Sequence, residues 1–273
     1  MTTFRLFLMA LIAGGCSSFA GQSNPTPDPT PANSVKAAPP AGKIATASAL
    51  INAMHGRYDG KYFKTMTFLQ NNTAYTTTGG ENKSQWFVHV QAPGKLRIAF
   101  LPVTRKSGLV QVGERVASFD NGIRIDFRRS VNPLLLLGVD AYAGPASAVM
   151  RGLDSLGVDT EIIRTDEWDG RPVYVIGAKE GDSTSNQVWI DSEHLRLARF
   201  IQRAGRGART IISDIRVRNY REIDGYHVPT EFLTLRNGRP AWREQRTDIR
   251  INQELPPGVF DQALWREIPV SAD

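Results

Sequence analysis

The chain has 273 residues, 41% hydrophobic and 22% charged, with 33 Lys+Arg against 27 Asp+Glu for a net charge of +6; this is the balance of an ordinary globular protein with some affinity for anionic surfaces. A single cysteine excludes an internal disulfide and any multi-thiolate zinc site. His55, His89, His194 and His227 are far apart and lack HExxH spacing, which argues against a zinc hydrolase, and no metal or cofactor is expected.

No apolar run reaches the ~20 residues of a spanning helix. At the N-terminus, Arg5 precedes the apolar segment Leu6 to Ala13, a signal-type arrangement. Ala13-Gly14-Gly15-Cys16 follows and resembles the bacterial lipobox, in which the cysteine receives a lipid and becomes the mature N-terminus. Ala13 departs from the leucine usual there, and secretory cleavage after Ala20 is the alternative. Both readings imply export, so nucleic acid is not an expected partner. Residues 1–15 are thus read as a lipoprotein-type signal and 16–44 as a Pro/Ser/Thr-rich tether too polar to form a core. Residues 45–273 are read as the folded domain.

That domain opens with a short helix over Ala47 to Tyr58, where Leu50, Ile51 and Met54 have helical spacing. Period-two patterns follow. Trp86, Val88 and Val90 share one parity, as do Leu96, Ile98 and Phe100, and then Ile123, Ile125 and Phe127. Such alternation marks antiparallel strands with one apolar face. Asn121-Gly122, Asp169-Gly170, Asp224-Gly225 and Asn237-Gly238 lie between strand-like segments and predict tight hairpin turns. Pro133 to Val158 loses the alternation and predicts one or two short helices. The fold class is therefore mainly β (α+β): a large, curved antiparallel sheet with a few short helices. The three apolar triplets should share its concave face, which either lines a ligand cavity or is a filled core.

Several segments resemble the bacterial Lol-type lipoprotein carriers and their outer-membrane lipoprotein-sorting relatives. They are YFKTMTFLQ (62–70), WFVHVQAPGKLRIAF (86–100) with Pro93, Lys95 and Arg97, VASFDNG (116–122), the stretch 169–200, and LPPGVFD (255–261). The resemblance implies an incomplete barrel closed by a helical lid, with a cavity for lipid or lipoprotein acyl chains. It places Leu134, Leu135, Leu136 and Leu137 in the lid and gives Arg97 the part of holding that lid. It further implies a periplasm-facing protein, anchored to the outer membrane if Cys16 is lipidated, with a protein partner as for its sensor relatives. A non-carrier envelope sensor or scaffold of the same fold is the alternative.

Other constellations carry less. Eight arginines between 196 and 221 face Asp214 alone, which reads first as a solvated sheet face and second as a headgroup surface. Asp166, Glu167 and Asp169, like Asp191 and Glu193, flank turns where carboxylates serve local hydrogen bonds. There is no G-x-S-x-G elbow, and no catalytic residues are assigned; the expectation is a binding protein and not an enzyme.

Overall fold

The computed structural model describes residues 44–268, so Cys16 and the expected signal segment lie outside the described residues, as does nearly all of the tether. A helix, α1 (Ala47–Tyr58), starts where Thr46 caps it, the hydroxyl accepting from Ala49 N at 3.1 Å. Its Ala47, Leu50, Ile51 and Met54 are buried on one stripe, as the spacing predicts.

The first run of strands is β1 (Thr65–Tyr75), β2 (Glu81–Gln91), β3 (Lys95–Phe100), β4 (Gly108–Val112), β5 (Arg115–Asp120) and β6 (Ile123–Arg129). A helical crossing follows: α2 (Pro133–Leu135), a π turn over Leu136–Asp140, α3 (Ala141–Ala143) and α4 (Ala146–Ser155). Asn132 caps its start by accepting from Leu134 N and Leu135 N. The second run is β7 (Ile163–Trp168), β8 (Arg171–Ile176), β9 (Gln187–Asp191), β10 (Arg196–Ala204), β11 (Ile211–Ile223), β12 (Tyr226–Arg236) and β13 (Arg239–Ile251).

All the strands join one open antiparallel sheet of 13, ordered β6-β5-β4-β3-β2-β1-β13-β12-β11-β10-β9-β8-β7. The chain runs outward to the β6 edge and crosses through the helices to the β7 edge. It then winds back until β13 pairs with β1. The four expected Asn/Asp-Gly turns form, each with both residues at positive φ: Asn121 48° and Gly122 75°, Asp169 50° and Gly170 72°, Asp224 51° and Gly225 80°, Asn237 48° and Gly238 78°. That backbone matches the twist of the strands they join.

The concave face is covered unevenly. Over β8 to β11, α1 and α4 pack closely, with Leu50, Ile51, Met54, Val149 and Leu153 against Tyr174, Ile176, Ile190, Leu197 and Phe200. Over β1 to β3 and β12 to β13 the cover is Leu135 and Val139.

The convex face has its own cover on the β3–β5 side. There the segment after β13 buries Trp265 against Ala99, Val110, Ala117 and Phe119. The Trp265 ring stacks on Phe119 at 4.5 Å and 8°, and its Nε1 donates to Lys106 O at 2.9 Å. This second cover makes β3 buried on both faces and corrects the expectation of a wetter side there. At the other end, Arg199 bridges Asp214 at 2.7 and 2.9 Å and lies over Trp168 at 4.1 Å and Trp189 at 5.0 Å. Part of the arginine-rich stretch therefore clamps indole rings to the sheet.

Candidate functional site

A cavity of about 70 Å³ remains between the sheet and the helical crossing. Its floor comes from β1 to β3 and β10 to β13, the strands on either side of the β1–β13 junction, and its roof includes Asn132, Leu134, Leu135, Gly138 and Val139. The β2–β3 register sets Trp86 opposite Phe100, Val88 opposite Ile98 and Val90 opposite Leu96. These two triplets therefore share the concave face, as their parity predicts. Trp86, Val88, Val90, Leu96 and Ile98 line the cavity. Phe100 stands just beyond it, packed on Trp86 at 5.0 Å.

The third triplet does not belong there. Ile123, Ile125 and Phe127 are 60%, 57% and 53% exposed. β6 is an edge strand beyond the cover of the lid, and its pairing slips between Ser118 and Phe119. Phe127 consequently sits opposite Ala117, on the same face as Arg97 and away from Ile98.

Arg97 is also misassigned by the resemblance. It is 1% exposed and lies on the convex face. Its guanidinium donates to Val259 O (3.1 Å), Trp265 O (3.1 Å) and Ile268 O (3.3 Å), and stacks on Trp265 at 4.3 Å. It holds the C-terminal segment, not the lid. Burial lowers its pKa to about 10, still far above any neutral pH.

The lid leucines divide between two jobs. Leu134 and Leu135 line the cavity, whereas Leu136 and Leu137 pack into the core around α1 and α4. The lid is fastened at its far end by Asp140, whose Oδ1 accepts from Gly94 N at 2.7 Å in the β2–β3 turn. Near its middle, Tyr62 donates to Gly138 O at 2.6 Å. Burial is the first cause raising the Tyr62 and Tyr220 hydroxyls well above their ordinary 10, with neighbouring tyrosines adding to it, so neither is suited to proton transfer near neutral pH.

Sequence reasoning missed the polar part of the floor, namely Gln70, Glu244 and Arg246. Plain alternation through RTDIRI (246–251) puts Arg246 on the face opposite Ile249 and Ile251. A bulge in β13, with Asp248 at φ 51°, reverses the parity. Arg246 thereby comes to the concave face, opposite Gln70. No local residue pattern announces such a bulge.

A second hollow of about 590 Å³, open to solvent, lies on the other side of the sheet under Leu255 to Asp261. Its lining includes Lys95, Gln91, Pro256 and Pro257, and it has no apolar floor comparable to the first. Among the described residues no three His, Cys, Asp or Glu converge as metal ligands, and no helix is long and apolar enough to cross a membrane.

Solved structures supply the comparison. A protein described as an outer membrane lipoprotein-sorting protein domain, from Vibrio parahaemolyticus, matches over 80% of this chain and 97% of its own, with TM-score 0.54 and 12% identity. The chain shares the fold of that lipoprotein-sorting protein domain. A DUF1329 family protein from Desulfovibrio piger matches with the same coverage, TM-score and identity. A LolA superfamily protein from Nitrosomonas europaea covers 77% of this chain and 96% of its own at TM-score 0.49 and 14% identity. No family model matches the sequence, and no curated protein matches it significantly.

Proposed function

We propose that this LolA-like protein works in the bacterial envelope, facing the periplasm, and holds lipid or lipoprotein acyl chains between its sheet and its helical lid. The observation that carries this reading is the uneven cover of the concave face. One half is packed by helices, and the other keeps a mostly apolar hollow under a short segment tied down at Gly138 and Asp140. A packed core gains nothing from such a roof, whereas a ligand site needs a removable one. The neighbour from Vibrio is described as lipoprotein-sorting, which agrees with this assignment. Cys16 would tether the domain to the outer membrane through its thioether lipid, and the work would be binding, not catalysis.

The small size of the hollow favours a second reading, a sensor or scaffold of the same fold whose concave face stays shut. Native mass spectrometry of the full-length protein, before and after organic extraction, separates the two. A lipid-mass adduct that extraction removes supports the carrier. A single ligand-free mass, together with no uptake of added lipid, favours the scaffold. The anchor is tested apart from the cavity: Cys16→Ser should abolish labelling by a radioactive fatty acid, and persistent labelling would refute it.

A further inference from the structure

The floor of the cavity is apolar except at one spot, where β1 and β13 set Gln70 opposite Arg246 and Asn72 opposite Glu244. Arg246 Nε donates to Glu244 Oε1 at 2.7 Å, and the two side chains are 13% and 5% exposed. The guanidinium is held between two rings, its Cζ 4.5 Å from Phe68 and 4.3 Å from Phe232. Both members of the pair line the cavity. Among the described residues no hydrogen bond engages the two Nη nitrogens of Arg246 or Oε2 of Glu244, and none of these unpartnered atoms is fully buried.

A buried ion pair is a poor source of stability, because desolvation cancels much of its attraction. One that leaves donors and an acceptor unspent beside an apolar hollow costs more still. A ligand group that filled those sites would recover that cost. The pair as a whole is neutral, so a full anion gains less from it than from an unpaired arginine. The complementary group instead carries an acceptor for Arg246 and a donor for Glu244, side by side.

We infer that the Arg246–Glu244 pair is the head-group subsite of the cavity, taking an uncharged acyl head that presents a carbonyl oxygen next to an N–H or O–H. An acyl amide and a monoacylglycerol both have this chemistry. The inference rests on the reading of the cavity as an acyl-chain site, and it adds which end of the ligand lies where.

Displacement of the apolar fluorophore N-phenyl-1-naphthylamine from the full-length protein tests it. The competitors are dodecanamide, monododecanoylglycerol, methyl dodecanoate and dodecanoate. One added hydrogen bond to a charged partner corresponds to roughly tenfold in affinity. Dodecanamide or the glyceride should therefore compete at roughly tenfold lower concentration than the methyl ester, which lacks the donor, and whichever does so identifies the source. Arg246→Met leaves Glu244 unpaired and can fail to fold, so the decisive variant is Arg246→Met with Glu244→Leu, which replaces the pair by apolar bulk. That variant should lose the discrimination between amide and ester. Absence of fluorophore binding to the unmodified protein would overturn the cavity reading itself. Fluorophore binding with equal competition by all four ligands, or discrimination retained in the double variant, would overturn the subsite alone. Preference for dodecanoate would overturn the neutral-head assignment.

Discussion

Arg97 shows what a single residue can and cannot announce. Its place before an apolar strand residue is visible in the sequence, but its partners lie more than 160 positions away in the C-terminal segment. Three backbone carbonyls and an indole face hold its charge. Arg97→Met should cost about 2–4 kcal/mol, the worth of several charge-assisted hydrogen bonds that are not additive. Urea unfolding measures the loss, and limited proteolysis should then cut near Asn252 to Pro257. Unchanged stability with an uncut C-terminus would mean that Trp265 alone secures the segment. Ile98 is legible by parity because β2 and β3 pair without a bulge. It lines a hollow of about 70 Å³, so Ile98→Phe should fit there, reduce binding of an apolar fluorophore and leave the melting temperature nearly unchanged. An overpacked core would instead lose about 1–3 kcal/mol, and that result would count against the cavity.

At the scale of elements, tight turns and regular strands are the most readable features, because their causes are local: positive φ at Asn/Asp-Gly, and alternation on a pleated strand. The bulges in β6 and β13 are not readable, and each reverses the face of everything beyond it. The lid is readable as a break in alternation, but its fastening is not, since Asp140 and Gly94 meet only in the folded chain. That fastening should respond to pH. Burial, offset in part by the Gly94 N–H, holds the Asp140 carboxyl at about 6, above its ordinary 3.8. Between these values the folded chain keeps a proton that the unfolded chain has lost, so stability falls as pH rises. Ionisation above pH 6 works against the docked lid. His89 acts in the opposite sense. Burial first, and then the Arg97 charge, lower it from 6.5 to about 4, so the unfolded chain holds the extra proton and stability rises with pH across that range. The two slopes, each at most about 1.4 kcal/mol per pH unit, should nearly cancel between pH 4 and 6. Asp140→Asn should expose the rising slope and His89→Gln the falling one in urea unfolding at a series of pH values. Variants that track the unmodified protein would show that neither group is linked to folding as described.

For the whole molecule, the pairing of β1 with β13 is what creates the site. It joins an outgoing and a returning run of strands into one sheet, and the crossing between them must pass over the concave face to reach the opposite edge. A meander can be inferred from its turns, but the closure of its two ends cannot, because no short-range signal links residue 66 to residue 251. The crossing fills the half of the face over β8 to β11 and only roofs the half near the junction. Ligand pockets generally measure about 300–1,000 Å³, whereas the hollow here is about 70 Å³, room for a few waters. Leu135 and Val139 occupy space that an acyl chain would need. If the proposed acyl chain binds here, it would have to lift the roof over the hollow while leaving α1 and α4 docked. Hydrogen exchange with and without dodecanamide should show faster exchange at Leu134, Leu135 and Val139, slower exchange along β1 and β13, and no change in α1. If the chain bound with the roof amides as protected as before, the ligand would have to lie elsewhere, and the open hollow beneath Leu255 to Asp261 would become the place to look.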